Sequence, residues 1–337
     1  MEIIDNRFRV LKKVYSSEIA NSYLAEDLEN NDELVNVKLL LSTKYIDNML
    51  FNMFKAESMA IKDLDFEGLP RYITHNEVEK EEKYFYIASK YIEGRSLKSI
   101  LIENPSLIKD NFFDIADKLI NILEYLENKN IKHKSISLEN VLIDEELNVS
   151  LINIAAINNK LNSGRDIKPI IGNTKFMPNE QKLGYVTLKS DQYALGFLLI
   201  LILVDDMNLN IEDLRTSFNS LESINKNLKD FINILVRKDA TERFLSIKYA
   251  KEIFYKIKNN EDVLVTSGQN LNQKKETEDI YIAEKILETE KFYMDLETGK
   301  DKKTKRIATK VFAYLAFVFF WLYLIYIMLG YLIETII

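Results

Sequence analysis

The sequence predicts an α+β chain of two unequal lobes, a small strand-rich one followed by a larger helical one, with a single membrane-crossing helix near its C-terminal end. Three observations predict this. Short β-rich runs divided by polar turns, with one helical stretch among them, make up the chain as far as Gly94. Beyond it the apolar residues recur at helical spacing or fill whole helices. Val311 to Ile333, "VFAYLAFVFFWLYLIYIMLGYLI", then runs without one charge, longer than the ~20 residues that cross a bilayer's hydrocarbon core.

The elements follow in order. "RFRVLKKV", "NSYLAED" and "ELVNVKLLL" read as strands. "MLFNMFKAESMAIKDL" carries Phe51, Phe54, Met59 and Ile61 on one helical face, and "YFYIASKYIEG" is a further apolar strand ending at Gly94. These make a small lobe over residues 1–93. A larger, helical lobe over residues 94–260 rests on "NFFDIADKLINILEYLENK", an amphipathic helix, and on "SDQYALGFLLILILV", a nearly all-apolar one. "NLKDFINILVRK" and "LSIKYAKEIFYKIK" add two more helices. Residues 261–310 read as a charged juxtamembrane linker, 311–333 as the membrane helix and 334–337 as a short external tail.

Composition narrows the function. The 337 residues suffice for one large domain or two smaller ones. A net charge of -7 does not suggest nucleic-acid binding. There is no cysteine, which excludes disulfides, thiolate metal sites and cysteine nucleophiles. Only His75 and His133 could supply imidazole, so no histidine-rich metal centre is expected. The start, "MEIIDNRFRV", lacks the apolar core of a secretory signal. Lys300, Lys302, Lys303, Lys305, Arg306 and Lys310 crowd the N-terminal side of the apolar run. The positive-inside bias then places residues 1–310 in the cytoplasm, as a tail-anchored, single-pass protein of the cell membrane.

The order of motifs supplies the rest. "VNVK" places Lys38 on a strand, and Glu57 sits in "FKAE" on the next helix. "HKSISLEN" runs from His133 to Asn140, "NIA" begins at Asn153, and "GNTKFMPNE" ends at Glu180. "SDQYALG" contains Asp191 and "RKDATERFLS" contains Arg243. From about Arg7 to Lys258 this succession resembles the eukaryotic-type Ser/Thr protein kinase family as found in bacteria. The resemblance implies a bilobal protein-kinase-like fold. It makes Lys38 the phosphate-pairing lysine, Glu57 its acidic partner and Asn140 the loop asparagine that can ligate a metal. It makes His133, Glu180, Asp191 and Arg243 scaffold residues, with Glu180 and Arg243 a buried ion pair and Asp191 a brace of the catalytic loop.

The residues that perform chemistry in that family are replaced. Tyr15, Ser17 and Ala20 stand at the three glycines of the phosphate-covering loop, where only bare backbone approaches a nucleotide closely. Ser22 and Asn36 stand at apolar positions over the purine. Ser135 replaces the aspartate that accepts the substrate's proton, and Ser137 the lysine that contacts the transferred phosphate. Asn153 replaces the magnesium-holding aspartate, and Ala155 the glycine after it. Magnesium prefers anionic oxygen, so no metal site is expected. The resemblance with these losses implies a catalytically inactive pseudokinase, a scaffold or allosteric regulator that binds protein partners on the cytoplasmic membrane face. Lys38, Glu57 and Asn140 are then a vestigial nucleotide site, and no cofactor is required. The alternative is an active, divergent Ser/Thr kinase using ATP and magnesium. Contact with lipid is assigned to residues 311–333.

Overall fold

The structure is a computed structural model that describes residues 2–16, 20–40, 55, 58–59, 61–79, 83–154, 177–182 and 186–268. The chain divides into Met1–Gln269 and Asn270–Ile337, and the described residues all lie in the first unit. Ser17, Glu57, Ala155 and the expected membrane helix at 311–333 lie outside them. Among the described residues no helix is long and apolar enough to cross a membrane.

Six strands form the N-terminal sheet: β1 (Ile3–Ile4), β2 (Phe8–Ser16), β3 (Ala20–Asp27), β4 (Glu33–Leu40), β5 (Tyr72–Glu79) and β6 (Lys83–Lys90). They pair antiparallel in the order β1-β2-β3-β4-β6-β5. The two-residue period of a strand decides which side chains are buried. On β4, Val35, Val37 and Leu39 enter a core with Phe8, Tyr23, Ala25 and Tyr86. Asn36 and Lys38 alternate with them and stay half-buried. Phe8 and Tyr86 meet edge to face at 5.4 Å, the geometry that ring quadrupoles favour. At the sheet's corner the fully buried Asp27 accepts from Arg7 Nε at 2.7 Å and Nη2 at 2.6 Å. That two-pronged pair holds the Asp27 carboxyl below the usual carboxylate range, against the cost of burial.

Past β6 the chain forms β7 (Arg95–Ser96), α1 (Leu97–Glu103), α2 (Pro105–Asp110), α3 (Phe112–Asn128), β8 (Val141–Ile143), β9 (Val149–Leu151), α4 (Asn179–Lys182), α5 (Leu188–Val204), α6 (Ile211–Ser220), α7 (Lys226–Leu235) and α8 (Ile247–Lys258). The helical lobe thus also carries a three-stranded antiparallel sheet in the order β7-β8-β9. Helical periodicity does not reveal strands of two or three residues.

Helix α5 is the lobe's axis. Every residue from Ser190 to Ile202 is buried, which explains why its sequence is apolar on all faces. Gly196 lets α7's end approach, because a Cβ there would lie 2.6 Å from Val236 Cγ1. Helix α3 turns Ile115, Leu119, Ile122 and Leu126 inward. Its outer side holds α8 by Glu124–Lys251 and Asp114–Lys258 pairs, each 2.7 Å. Glu127 of α3 accepts from Ile247 N at 2.7 Å, so one helix caps the start of another.

Two segments tie this frame together. Before β5, Gly68 O accepts from Leu151 N at 2.8 Å, and Phe66 stacks on Tyr125 at 4.5 Å. Gly68 has φ +85, and a Cβ would lie 2.5 Å from Val149 O. After α8 the chain stays packed as far as Gly268. Val263 and Val265 rest on the core, and Leu245 N donates to Ser267 O at 2.9 Å. At 261–268, the start of the stretch expected to be a charged juxtamembrane linker, the alternate valines thus turn one side of the chain onto the core.

Candidate functional site

The site lies between α3, β8 and the start of α5. The loop from His133 to Asn140 leaves α3 and must reverse before β8. Lys134 takes a left-handed conformation, φ 65, which costs a non-glycine residue energy unless its surroundings hold it. Asp191, in the first turn of α5, supplies the hold. Its Oδ2 accepts from His133 N at 2.7 Å and its Oδ1 from Lys134 N at 2.9 Å. Burial pushes this carboxyl up to about 6, while the two backbone N–H groups and the charges of Lys134 and Lys132 pull it down. Gln181 Nε2 donates to Lys134 O at 2.7 Å and fastens the loop from α4.

His133 is fully buried. Its Nδ1 accepts from Ser135 N at 3.2 Å, which leaves the ring proton on Nε2. Burial pushes the imidazole down to about 3; the Ile152 backbone pulls it up, and the charge of Lys38 pushes it further down. His133 is therefore a neutral packing group that does not change its charge near pH 7.

Three residues of the expected chemistry meet here. Asn140 Nδ2 donates to Ser135 O at 2.6 Å and to Ser135 Oγ at 2.9 Å. Asn153 Nδ2 donates to Asn140 Oδ1 at 2.7 Å. Asn153 itself adopts φ 61, a conformation that asparagine tolerates better than most residues. The result is a neutral chain, Asn153 to Asn140 to Ser135, containing no ionisable group. Ser137 is buried two residues beyond Ser135.

The family's usual ligands can be tested against these residues. Magnesium calls for anionic oxygen. The atoms offered are two amide oxygens, and Asn140 Oδ1 already accepts a hydrogen bond. Among the described residues no group of three or more His, Cys, Asp and Glu could hold a metal. These residues do not fit a magnesium ion. The nucleotide side fits poorly too. β2 and β3 remain a ladder as far as Ser16–Asn21, closed by Ser16 Oγ to Asn21 Oδ1 at 2.7 Å. Tyr15 is paired with Ser22 in that ladder, Ala20 pairs with Leu40 of β4, and Ser22 is buried on β3. Lys38 pairs across the sheet with Ser22 and Ile87, and its charge reaches His133.

Away from this loop, Arg243 is completely buried and meets Glu180 with both Nη atoms, at 2.6 and 3.2 Å. Its remaining N–H groups donate to the Arg237, Lys189 and Lys238 carbonyls, and Tyr193 lies under the guanidinium at 4.8 Å. Ser190 Oγ adds a donor to Glu180 at 3.1 Å. Sequence reasoning named the ion pair, but not the carbonyl cage, the Gln181 tie or the bond between the two asparagines.

A six-stranded antiparallel sheet, a helical lobe on an apolar axis and a loop braced from that axis define a protein-kinase architecture. Residues 18–255 match the protein kinase domain model, and the chain belongs to that family. It is similar to serine/threonine-protein kinase PrkC of Bacillus subtilis (strain 168), 24% identical over 326 residues that make up 90% of this chain and 49% of that one. It is similar to a probable serine/threonine-protein kinase PknB of Lactococcus lactis, 24% identical over 204 residues, or 60% and 32% of the two chains. Serine/threonine-protein kinase PknA of Nostoc sp. is 26% identical over 224 residues, 63% of this chain and 39% of that protein. The chain thus matches about half or less of each relative's length.

Proposed function

We propose that this chain is a pseudokinase: a kinase-family protein that works by binding, as a scaffold or allosteric regulator of a protein complex on the cytoplasmic face of a membrane. The observation that carries the reading is the neutral Asn153–Asn140–Ser135 chain. A positioned general base is worth about 10²–10⁴ in rate, and the serine hydroxyl at that position is not a base at neutral pH. Metal stabilisation of developing charge contributes several kcal/mol more, and the two asparagines present no anion to hold the metal. No cofactor is needed for a role of this kind, and Lys38, Asn140 and Glu57 are kept as structure. What speaks for the other reading, a divergent active kinase using ATP and magnesium, is that Lys38 and Asn140 are retained and that the similar proteins are named as kinases.

The membrane part of the proposal rests on sequence. The uncharged run from Val311 to Ile333 follows a basic cluster, which favours a single span with the kinase-family part inside the cell. The lipid contact is assigned to that span and the protein contacts to the cytoplasmic part. A cellular experiment tests the role. Lys38→Met, expressed at the wild-type level in cells lacking the native gene, is expected to restore whatever the deletion loses. Failure to restore it, with the variant folded and equally abundant, would speak for catalysis.

A further inference from the structure

The residues that do not suit a metal suit one another. The Ser135 carbonyl oxygen takes only a donor, so Asn140 must turn its NH2 toward it, as the 2.6 Å contact shows. That choice fixes the other end of the amide. Asn140 Oδ1 faces Asn153 and needs either a donor or a cation. Asn153 Nδ2 supplies the donor at 2.7 Å. Separately, Ile152 N donates to Asn140 O at 2.9 Å, so backbone and side chain fasten the same two loops.

We infer that the Asn153 amide takes the place of a divalent cation as the link between the loop at Ile152–Ile154 and the loop at Ser135–Asn140, and that it makes the fold of this site indifferent to metal. The inference rests on the reading of a catalytically silent site and says what the substitution at position 153 achieves. An aspartate there would bring a carboxylate, which has no hydrogen to give, against Asn140 Oδ1. Two oxygens would then face each other at hydrogen-bond distance; a cation between them would restore a direct link, whereas water would hold them further apart and a turned amide would abandon the Ser135 carbonyl. One side-chain atom therefore separates a metal-independent link from a metal-requiring one. The backbone is no obstacle to testing this, because glycine adopts positive φ freely and can isolate the loss of the side chain from the conformation at φ 61.

The test is the melting midpoint of the purified full chain in mild detergent, with EDTA or with magnesium or manganese ion added, for the wild type, Asn153→Asp and Asn153→Gly. The wild type is expected to melt at one temperature in all three. Asn153→Asp should melt about 3–8 °C lower in EDTA, the shift expected when a half-buried acceptor loses its partner and meets a second oxygen in a domain of this size. The added ion should then raise it in a concentration-dependent way. Asn153→Gly should show the loss without the recovery. A wild-type midpoint that rises with the ion would overturn the inference. So would an Asp variant that melts alike with and without the ion, or a Gly variant that loses nothing. These readouts do not involve phosphate transfer. A wild type that transfers phosphate would overturn the proposed function, and only the melting data decide the link.

Discussion

Arg243 and Glu180 form a bidentate ion pair, at 2.6 and 3.2 Å, in which the arginine is wholly buried and the glutamate retains 16% side-chain exposure. The asymmetry sets the cost of losing either partner. Without Arg243 the glutamate still has water and Ser190, but three backbone carbonyls lose their donor. Without Glu180 the guanidinium stays buried and charged, with carbonyls alone around it. Removing one side of such a pair costs about 3–5 kcal/mol. Arg243→Ala and Glu180→Ala are each expected near that range in urea unfolding. The double variant should cost clearly less than the sum. Strict additivity would contradict the coupling.

The buried His133 and Asp191 give opposite acid responses. Histidine has its folded pKa lowered to about 3 from 6.5, so its stability is present above 6.5 and is lost as pH falls below it. Aspartate has its folded pKa raised to about 6 from 3.8, so the folded form binds the proton first and gains stability as pH falls from 7. Between pH 7 and 5 the two terms amount to about 2 and about 1 kcal/mol. His133→Phe is therefore expected to gain about 2 kcal/mol relative to the wild type over that interval, and Asp191→Asn to lose about 1. Urea stability at pH 7 and pH 5 checks both. Parallel curves for wild type and His133→Phe would mean that the imidazole is not held neutral by burial.

Gly68 sits where no side chain fits, with φ +85 and backbone oxygen 2.5 Å from the position of a Cβ. Gly68→Ala combines left-handed strain with a clash that no flexible group can relieve. A loss of about 2–4 kcal/mol is expected. Hydrogen exchange at Leu151, whose N–H bonds to Gly68 O, should accelerate with it. A neutral substitution would show that this turn is softer than its geometry.

The sequence made part of this visible and hid the rest for physical reasons. β4 was legible because Val35, Val37 and Leu39 alternate with half-buried polar residues, and α3 because its apolar residues recur on one face. Helix α5 has no such periodicity, since all its sides are buried, and its length alone marked it. β7, β8 and β9 are two or three residues long and carry no period. β5, "YITHNEVE", lies at a sheet edge and reads as polar. The brace from Asp191 to a loop 58 residues earlier could be expected only through family resemblance. The Asn153–Asn140 bond could not, because nothing local records that two amides 13 residues apart face each other.

The proposed topology has its own test. Protease added to wall-stripped cells is expected to leave the kinase-family part intact and to digest it after the membrane is opened, since six basic residues precede the apolar run at Val311. Digestion in intact cells would reverse the orientation.

The central claim is that a chain of the protein kinase family has a site that does not transfer phosphate. The most direct measurement is incorporation of labelled γ-phosphate from ATP into the chain itself and into a mixed protein substrate. The purified wild type and Lys38→Met are assayed side by side, with magnesium and with manganese. With Ser135 at the base position and Asn153 bonded to Asn140, both proteins are expected to match the protein-free background. Robust incorporation by the wild type that Lys38→Met abolishes would contradict the claim.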